Sequence, residues 1–311
     1  MSSERKPKVL FIGSGRIGTE SLAKIANSAK IDFLGIVTQE DKPAGRKLQL
    51  KPTPVAEWAC SNSLPVEKIR SVNDPDFVSK VRAMGTDIIF LASFGQILKA
   101  EILSAPNVEP LNLHASLLPK FRGASPIQAA IISGEKQAGI SFMRMEKGLD
   151  TGPVFAKFAT DISSDEDSES LETKLACLAA QHVEDVILKI FKRELEPVPQ
   201  DNSLATYAAK IEKSDGLIDW REDALRVERK VRAFRQWPGA FFQLDLDGKK
   251  QRVKIVRAKV CPEIQGALGE IIRTDKKLIV VCGKAGIELE RIIPEGRREM
   301  DATEFLRGWK S

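Results

Sequence analysis

The stretch Lys8-Val-Leu-Phe-Ile-Gly-Ser-Gly-Arg-Ile-Gly18 decides the fold of the first half of the chain. Val9 to Ile12 is apolar without alternation, as a strand buried on both faces must be, and a helical pattern follows from Ile17 to about Ala29. Phe33-Leu-Gly-Ile-Val37 and Asp87-Ile-Ile-Phe-Leu-Ala92 repeat the apolar run, and Leu111-Asn-Leu-His114 reads as one more strand. Ile140-Ser-Phe-Met-Arg-Met145 alternates and reads as a strand pairing nearby. Helical patterns cover Pro54 to Asn62, Asp76 to Met84, Pro126 to Ser133 and Ser170 to Lys192. Apolar strands separated by helices make a mostly parallel sheet. The expectation is an α/β, Rossmann-like N-terminal domain over residues 1–192.

Residues 193–208, with Pro197-Val-Pro199, read as a linker. Beyond it the pattern changes to a helix from Ala224 to Phe234, a turn at Trp237-Pro-Gly239, and short strands. These are Ala240–Leu246, Val253–Val260, Gly269–Arg273, Leu278–Cys282 and Ile287–Ile293, with Asp247-Gly248 as a hairpin signal. Strands at this spacing predict a small C-terminal β-barrel of the oligonucleotide-binding type over 209–311.

The 311 residues carry a formal net charge of +5. The charge is uneven: 25 basic against 25 acidic residues lie up to position 200, and 23 against 18 beyond it. Eleven basic and three acidic residues fall between Arg226 and Lys259, which fits either a solvated face or a nucleic-acid footprint. Cys60, Cys177, Cys261 and Cys282 form no CxxC pair, so no redox dithiol or four-cysteine metal site is visible. No apolar run approaches the ~20 residues of a membrane helix. A cytoplasmic protein without membrane or metal is expected.

Gly13-Ser-Gly15-Arg-Ile-Gly18 has the spacing of a dinucleotide-binding turn. That motif also needs an acidic residue ending the second strand, and Val37-Thr38-Gln39 supplies none. The glycines therefore read as a tight strand-to-helix turn, with no NAD.

The chemistry is carried by Leu111-Asn-Leu-His-Ala-Ser-Leu-Leu-Pro-Lys-Phe-Arg-Gly-Ala-Ser-Pro-Ile-Gln128. On a strand Asn112 and His114 share one face, an amide beside an imidazole suited to polarising a carbonyl. In Gly148-Leu-Asp150-Thr-Gly152 an acid lies beside two glycines that permit sharp turns. His182, the second of only two histidines, reads as a surface or packing residue of the long helix.

The Asn-x-His-x-Ser-Leu-Leu-Pro and Gly-x-Asp-Thr-Gly patterns resemble the 10-formyl-tetrahydrofolate-dependent transformylases, and the resemblance runs from Val9 to Trp309. It implies that Asn112, His114 and Asp150 are catalytic and that 10-formyl-tetrahydrofolate is the co-substrate. It further implies folate contacts from Phe94, Gly95, Ile97 and Leu98 and from the turn Ser116, Leu117, Leu118 and Pro119. Phe94 stands where the family's pocket carries a tyrosine. Ala205-Thr-Tyr-Ala208, Ile218-Asp-Trp220 and Trp237-Pro-Gly239 resemble the members that act on initiator methionyl-tRNA. The loop Thr38-Gln-Glu-Asp-Lys-Pro-Ala-Gly-Arg46 is similar to those members' acceptor-stem loop, although Lys47-Leu-Gln49 replaces their Gly-Lys-Lys. Contacts to tRNA are expected from Arg46, Lys47, Arg226, Arg229, Lys230, Arg232, Lys249 and Lys250, in a monomer. Members acting on sugar nucleotides or purine intermediates share the N-terminal motifs but not the C-terminal ones. An RNA-binding module with a dead catalytic fold is disfavoured by the intact Asn112, His114 and Asp150.

Overall fold

A computed structural model describes residues 5–44, 49–246, 249–274 and 276–308. The first half runs β1 (Lys8–Gly13), α1 (Thr19–Ala26), β2 (Asp32–Gln39), β3 (Lys42–Ala44), β4 (Gln49–Lys51), α2 (Pro54–Ser61), β5 (Val66–Ile69), α3 (Pro75–Ala83), β6 (Ile88–Ala92), α4 (Ala100–Leu103) and β7 (Glu109–His114). It continues through β8 (Arg122–Gly123), α5 (Pro126–Ser133), β9 (Gln137–Arg144), β10 (Val154–Asp161), α6 (Ser168–Phe191) and β11 (Tyr207–Ala208). The main sheet has the order β10-β9-β7-β6-β1-β2-β5. Its strands from β5 to β7 are parallel, while β9 and β10 are antiparallel.

Local chemistry sets the helix starts. Thr53 and Asp74 accept the N–H groups of Ala56 and of Asp76 and Phe77, each immediately before a proline that opens the helix. The central strands are buried on both faces, as their unbroken apolar runs require. On one face Leu10, Ile12, Val37, Ile89 and Leu91 pack with Phe77, Val78, Val81, Phe94 and Ile102. On the other, Phe11, Phe90, Phe142 and Phe158 make successive ring contacts, and Phe158 stacks on His182 at 3.6 Å between centroids. His182 is thus a packing residue.

The rest of the chain comprises α7 (Ala224–Ala233), β12 (Ala240–Leu246), β13 (Lys249–Cys261), β14 (Ile271–Arg273), β15 (Leu278–Val281), β16 (Gly286–Pro294), β17 (Met300–Asp301) and α8 (Ala302–Gly308). The strands form an antiparallel sheet, β12-β13-β16-β15-β14, with β17 on β16. Register shifts flank Arg257 on the long β13, where extra residues bend a strand. The sheet curls into a half-barrel, and no pair between β12 and β14 closes it among the described residues. Val227 and Val231 of α7 fill its core with Phe242, Val253, Ile255, Val280 and Ile287.

The chain divides into two compact units. One contains Met1–Pro126, Gln137–Asp161 and Glu172–Ala208, and the other Ile127–Lys136, Ile162–Leu171 and Ala209–Ser311. Within the first, Val198 exchanges hydrogen bonds with Val154, and β11 pairs in parallel with β8. No helix is long and apolar enough to cross a membrane among the described residues.

Candidate active site

β7 lies between parallel β6 and antiparallel β9, so its side chains meet two neighbours on each face. Asn112 pairs with Leu91 and Met143, and His114 with Ser141. Both site residues are buried, at 8% and 6% exposure. The Asn112 amide has no protein partner among the described residues and faces a cavity of about 340 Å³.

His114 is tied down at one nitrogen only. Its Nε2 lies 2.9 Å from the Phe121 carbonyl oxygen, which can only accept, so Nε2 carries a hydrogen. Nδ1 faces Oδ2 of Asp150 at 3.7 Å. With Nε2–H committed to Phe121, Nδ1 is the ring atom that faces the carboxylate and the cavity side of the site.

Asp150 sits in the loop between β9 and β10 with φ of 53°, left-handed backbone that costs a non-glycine residue energy unless its surroundings hold it. Three bonds do so. Gly123 N–H donates to Oδ2 at 2.8 Å, and Gln200 Nε2 donates to the carbonyls of Asp150 and Gly152 at 2.8 and 2.6 Å. Gly148 has φ of 149°, as its expected turn role requires. At Gly152 the constraint is close approach: an added Cβ would overlap the Arg144 carbonyl oxygen.

Leu91, Ile97, Leu98, Leu103, Met143 and Met145 give the cavity apolar walls, with Asn112 and Asp150 among its polar groups. The wall at 96–98 is pinned by Gln96, which accepts from Val72 N–H, and by Asn73, which donates to the Ile97 carbonyl. Of the expected folate contacts, Ile97 and Leu98 line this cavity, whereas Phe94 and Gly95 line a neighbouring one with Ser14, Gln39 and Thr53. Phe94 is buried in the core beside Leu10 and Ile12. The Ser116–Pro119 turn is fastened from β9: Ser141 Oγ donates to the Ser116 carbonyl at 2.7 Å and accepts from Leu118 N–H at 3.1 Å. Leu118 packs on Met143 and Val154.

The glycine turn is a packing device. A Cβ on Gly13 would stand 2.7 Å from the Ala92 carbonyl oxygen, and one on Gly18 would stand 2.8 Å from Ala92 Cβ. The N–H groups of Ser14 and Gly15 both donate to the Ser93 carbonyl at 3.2 Å, so neither is free to hold a pyrophosphate.

In the second unit, Arg226 pairs with Glu222, and Arg232 grips Glu228 through two bonds of 2.6 and 3.0 Å. Arg229 lies against Gly134, and Lys230 donates to the Leu217 carbonyl. Lys249 and Lys250 are exposed. A cluster not singled out in the sequence gathers Arg235, Arg252 and Lys254. Arg252 stacks 3.7 Å from the centroid of Phe241 and leaves its Nε buried without a partner. Burial, with Arg235 and Arg252 beside it, pushes the Lys254 ammonium below its usual range. Arg46 and Lys47 lie outside the described residues. No three potential metal-ligating side chains converge among the described residues. Arg122 and Gln200 beside the site escaped sequence reading.

Residues 7–187 match the formyl transferase family and residues 210–310 its C-terminal domain. The methionyl-tRNA formyltransferase of Methylacidiphilum infernorum is 35% identical over 303 residues, 97% of this chain and 95% of that one. A solved methionyl-tRNA formyltransferase from Clostridium thermocellum is similar in fold, with a TM-score of 0.55 and 18% identity over 89% of this chain and 100% of that one. HypX from Aquifex aeolicus, solved in complex with tetrahydrofolic acid, gives a TM-score of 0.60 at 17% identity over 97% of this chain, which spans 47% of HypX.

Proposed function

We propose that this chain, which belongs to the methionyl-tRNA formyltransferase family, transfers the formyl group of 10-formyl-tetrahydrofolate to the α-amino group of initiator methionyl-tRNA. The observation that carries the reading is an apolar-walled cavity lined by Asn112 and Asp150, with His114 facing Asp150. A cavity of about 340 Å³ lies within the usual range for small-molecule sites, and its mix of apolar walls and few polar groups suits a flat heterocycle. Ile97, Leu98, Leu103, Met143 and Met145 would hold the folate ring, which brings the formyl group bound to its N10.

Asn112 would donate its free amide N–H to the oxygen on which negative charge develops. His114 would donate from Nδ1, because Nε2–H is committed to Phe121. Each such donor is worth ~3 kcal/mol in barrier height. Asp150, beside His114, would move a proton, through water, from the attacking amine to the departing nitrogen. The linker expected at 193–208 lies in the same compact unit as Asn112, His114 and Asp150, so the catalytic part would run through Ala208, and residues 209–311 would hold tRNA, in a cytoplasmic monomer. Exposed Lys249 and Lys250 and the Arg235–Arg252–Lys254 cluster would supply positive charge for phosphates, and the resemblance assigns Arg46 and Lys47 to contacts with the acceptor end.

Formyl transfer offered charged initiator tRNA, an amino-sugar nucleotide and glycinamide ribonucleotide in parallel tests the substrate. Product on the tRNA alone is expected. Product on either small amine and none on tRNA would replace the reading.

A further inference from the structure

Arg122 is the largest side chain buried almost completely, at 1% exposure. A buried guanidinium ordinarily takes a carboxylate partner, because an uncompensated charge away from water is costly. Here its partners are neutral amides: Nε and Nη2 donate to Gln200 Oε1 at 3.1 and 2.9 Å, and Nη2 donates to Asn202 Oδ1 at 2.8 Å. Arginine has no acceptor, so it forces the oxygen of Gln200 toward itself and the NH2 away. That NH2 spends its two hydrogens on the carbonyls of Asp150 and Gly152, either side of Thr151. The residue after Arg122 supplies the N–H that holds Asp150 Oδ2.

We propose that Arg122 and Gln200 are positioning residues: the arginine orients the Gln200 amide, and the amide holds the left-handed turn that presents Asp150 to His114. The inference rests on the formyl-transfer reading. It explains why an amide stands at 200 where charge balance alone would favour a glutamate. A carboxylate there would neutralise Arg122 but turn an acceptor toward two carbonyl oxygens.

The test compares wild type, Gln200→Glu and Arg122→Met in single-turnover formyl transfer, thermal unfolding, tetrahydrofolate binding and amide hydrogen exchange across 145–153. Gln200→Glu should melt at or above the wild-type temperature and bind tetrahydrofolate normally. Its kcat should nevertheless fall about 100-fold, the scale of a misplaced catalytic group, with KM for charged tRNA little changed. Arg122→Met should show a smaller fall in the same direction. A Gln200→Glu protein that turns over at the wild-type rate overturns the proposal. If that variant does not fold, a wild-type kcat in Arg122→Met overturns it and a reduced one supports it. A wild type that formylates no charged tRNA would defeat the formyl-transfer reading instead. Exchange across 145–153 then decides the positioning claim, faster in Gln200→Glu if the amide holds the turn and unchanged if it does not.

Discussion

Nδ1 of His114 stands 3.7 Å from Oδ2 of Asp150, with the opposite ring nitrogen fastened to the Phe121 carbonyl. The separation is too long for a hydrogen bond, so Nδ1 is not committed to Asp150.

Replacing Asn112 or His114 by alanine, or Asp150 by asparagine, should lower kcat by about 100-fold or more. Tetrahydrofolate affinity should hardly move, because the apolar walls remain. Steady-state kinetics beside equilibrium folate titration separate the two quantities, and variants with wild-type kcat would relocate the chemistry.

Gly152→Ala should damage both stability and rate. The new methyl overlaps the Arg144 carbonyl oxygen, so the backbone must shift, at a cost of ~1–3 kcal/mol. The shift falls two residues from Asp150. Urea unfolding and single-turnover rates measured on one preparation should fall together.

Salt should distinguish the basic residues. Arg232 already serves Glu228, whereas Lys249 and Lys250 are exposed. Reversing both lysines should flatten the dependence of tRNA affinity on salt by ~0.7–0.9 log units per lost contact. Arg232→Gln should change the slope far less. An unchanged slope after the lysine reversals would remove phosphate contacts from this face.

Lys254 carries a cost that pH can reveal. Its pKa is depressed from the ordinary 10.5 by burial and by Arg235 and Arg252. The unfolded chain therefore binds the proton more readily, so stability rises with pH between the depressed value and 10.5. Lys254→Met should raise the urea midpoint at pH 7, and the gain should shrink toward pH 10. The same variant should bind tRNA more weakly.

Cys282 should resist alkylation. Burial, with Asp223 and Glu222 nearby, pushes its thiol up to about 12. At pH 8 only ~10⁻⁴ of it is thiolate. Iodoacetamide should label the exposed Cys60 and Cys177 first, as intact-mass and peptide analysis will show.

What the sequence disclosed follows from how local each feature is. The apolar runs at β1 and β6 and the Pro126–Ser133 helix were legible because burial on both faces and a proline at the first turn leave direct marks. β5 escaped because Val-Glu-Lys-Ile mixes charge into a half-exposed edge. Asn112 and His114 were legible as a two-residue spacing on one strand. The contact of Asp150 with that strand depends on chain closure over 36 positions, and only the family resemblance supplied it. Arg122 carried no mark of its burial in the sequence, and Gln200 lay in a stretch with two prolines. The Glu222–Arg226 and Glu228–Arg232 pairs were written at i,i+4 and went unused, so the basic count overstated the charge free to meet phosphate.

The parallel bridge between β11 and β8 bears on how such enzymes are recombined. Tyr207 and Ala208 register with Arg122 and Gly123, Thr206 Oγ1 accepts from Phe121 N–H at 2.8 Å, and the Ala208 carbonyl accepts from Ala124 N–H at 2.9 Å. A chimera spliced at 192 would keep Asn112, His114 and Asp150 from one parent while importing, from the other, the segment that braces the loop carrying the His114 acceptor. A splice after Ala208 keeps that brace with the strand it was shaped against. The last passage of the chain out of the first compact unit thus falls after Ala208, about sixteen residues later than the end of the long helix suggests, because the apparent tether is a fitted part of the unit that carries Asn112, His114 and Asp150.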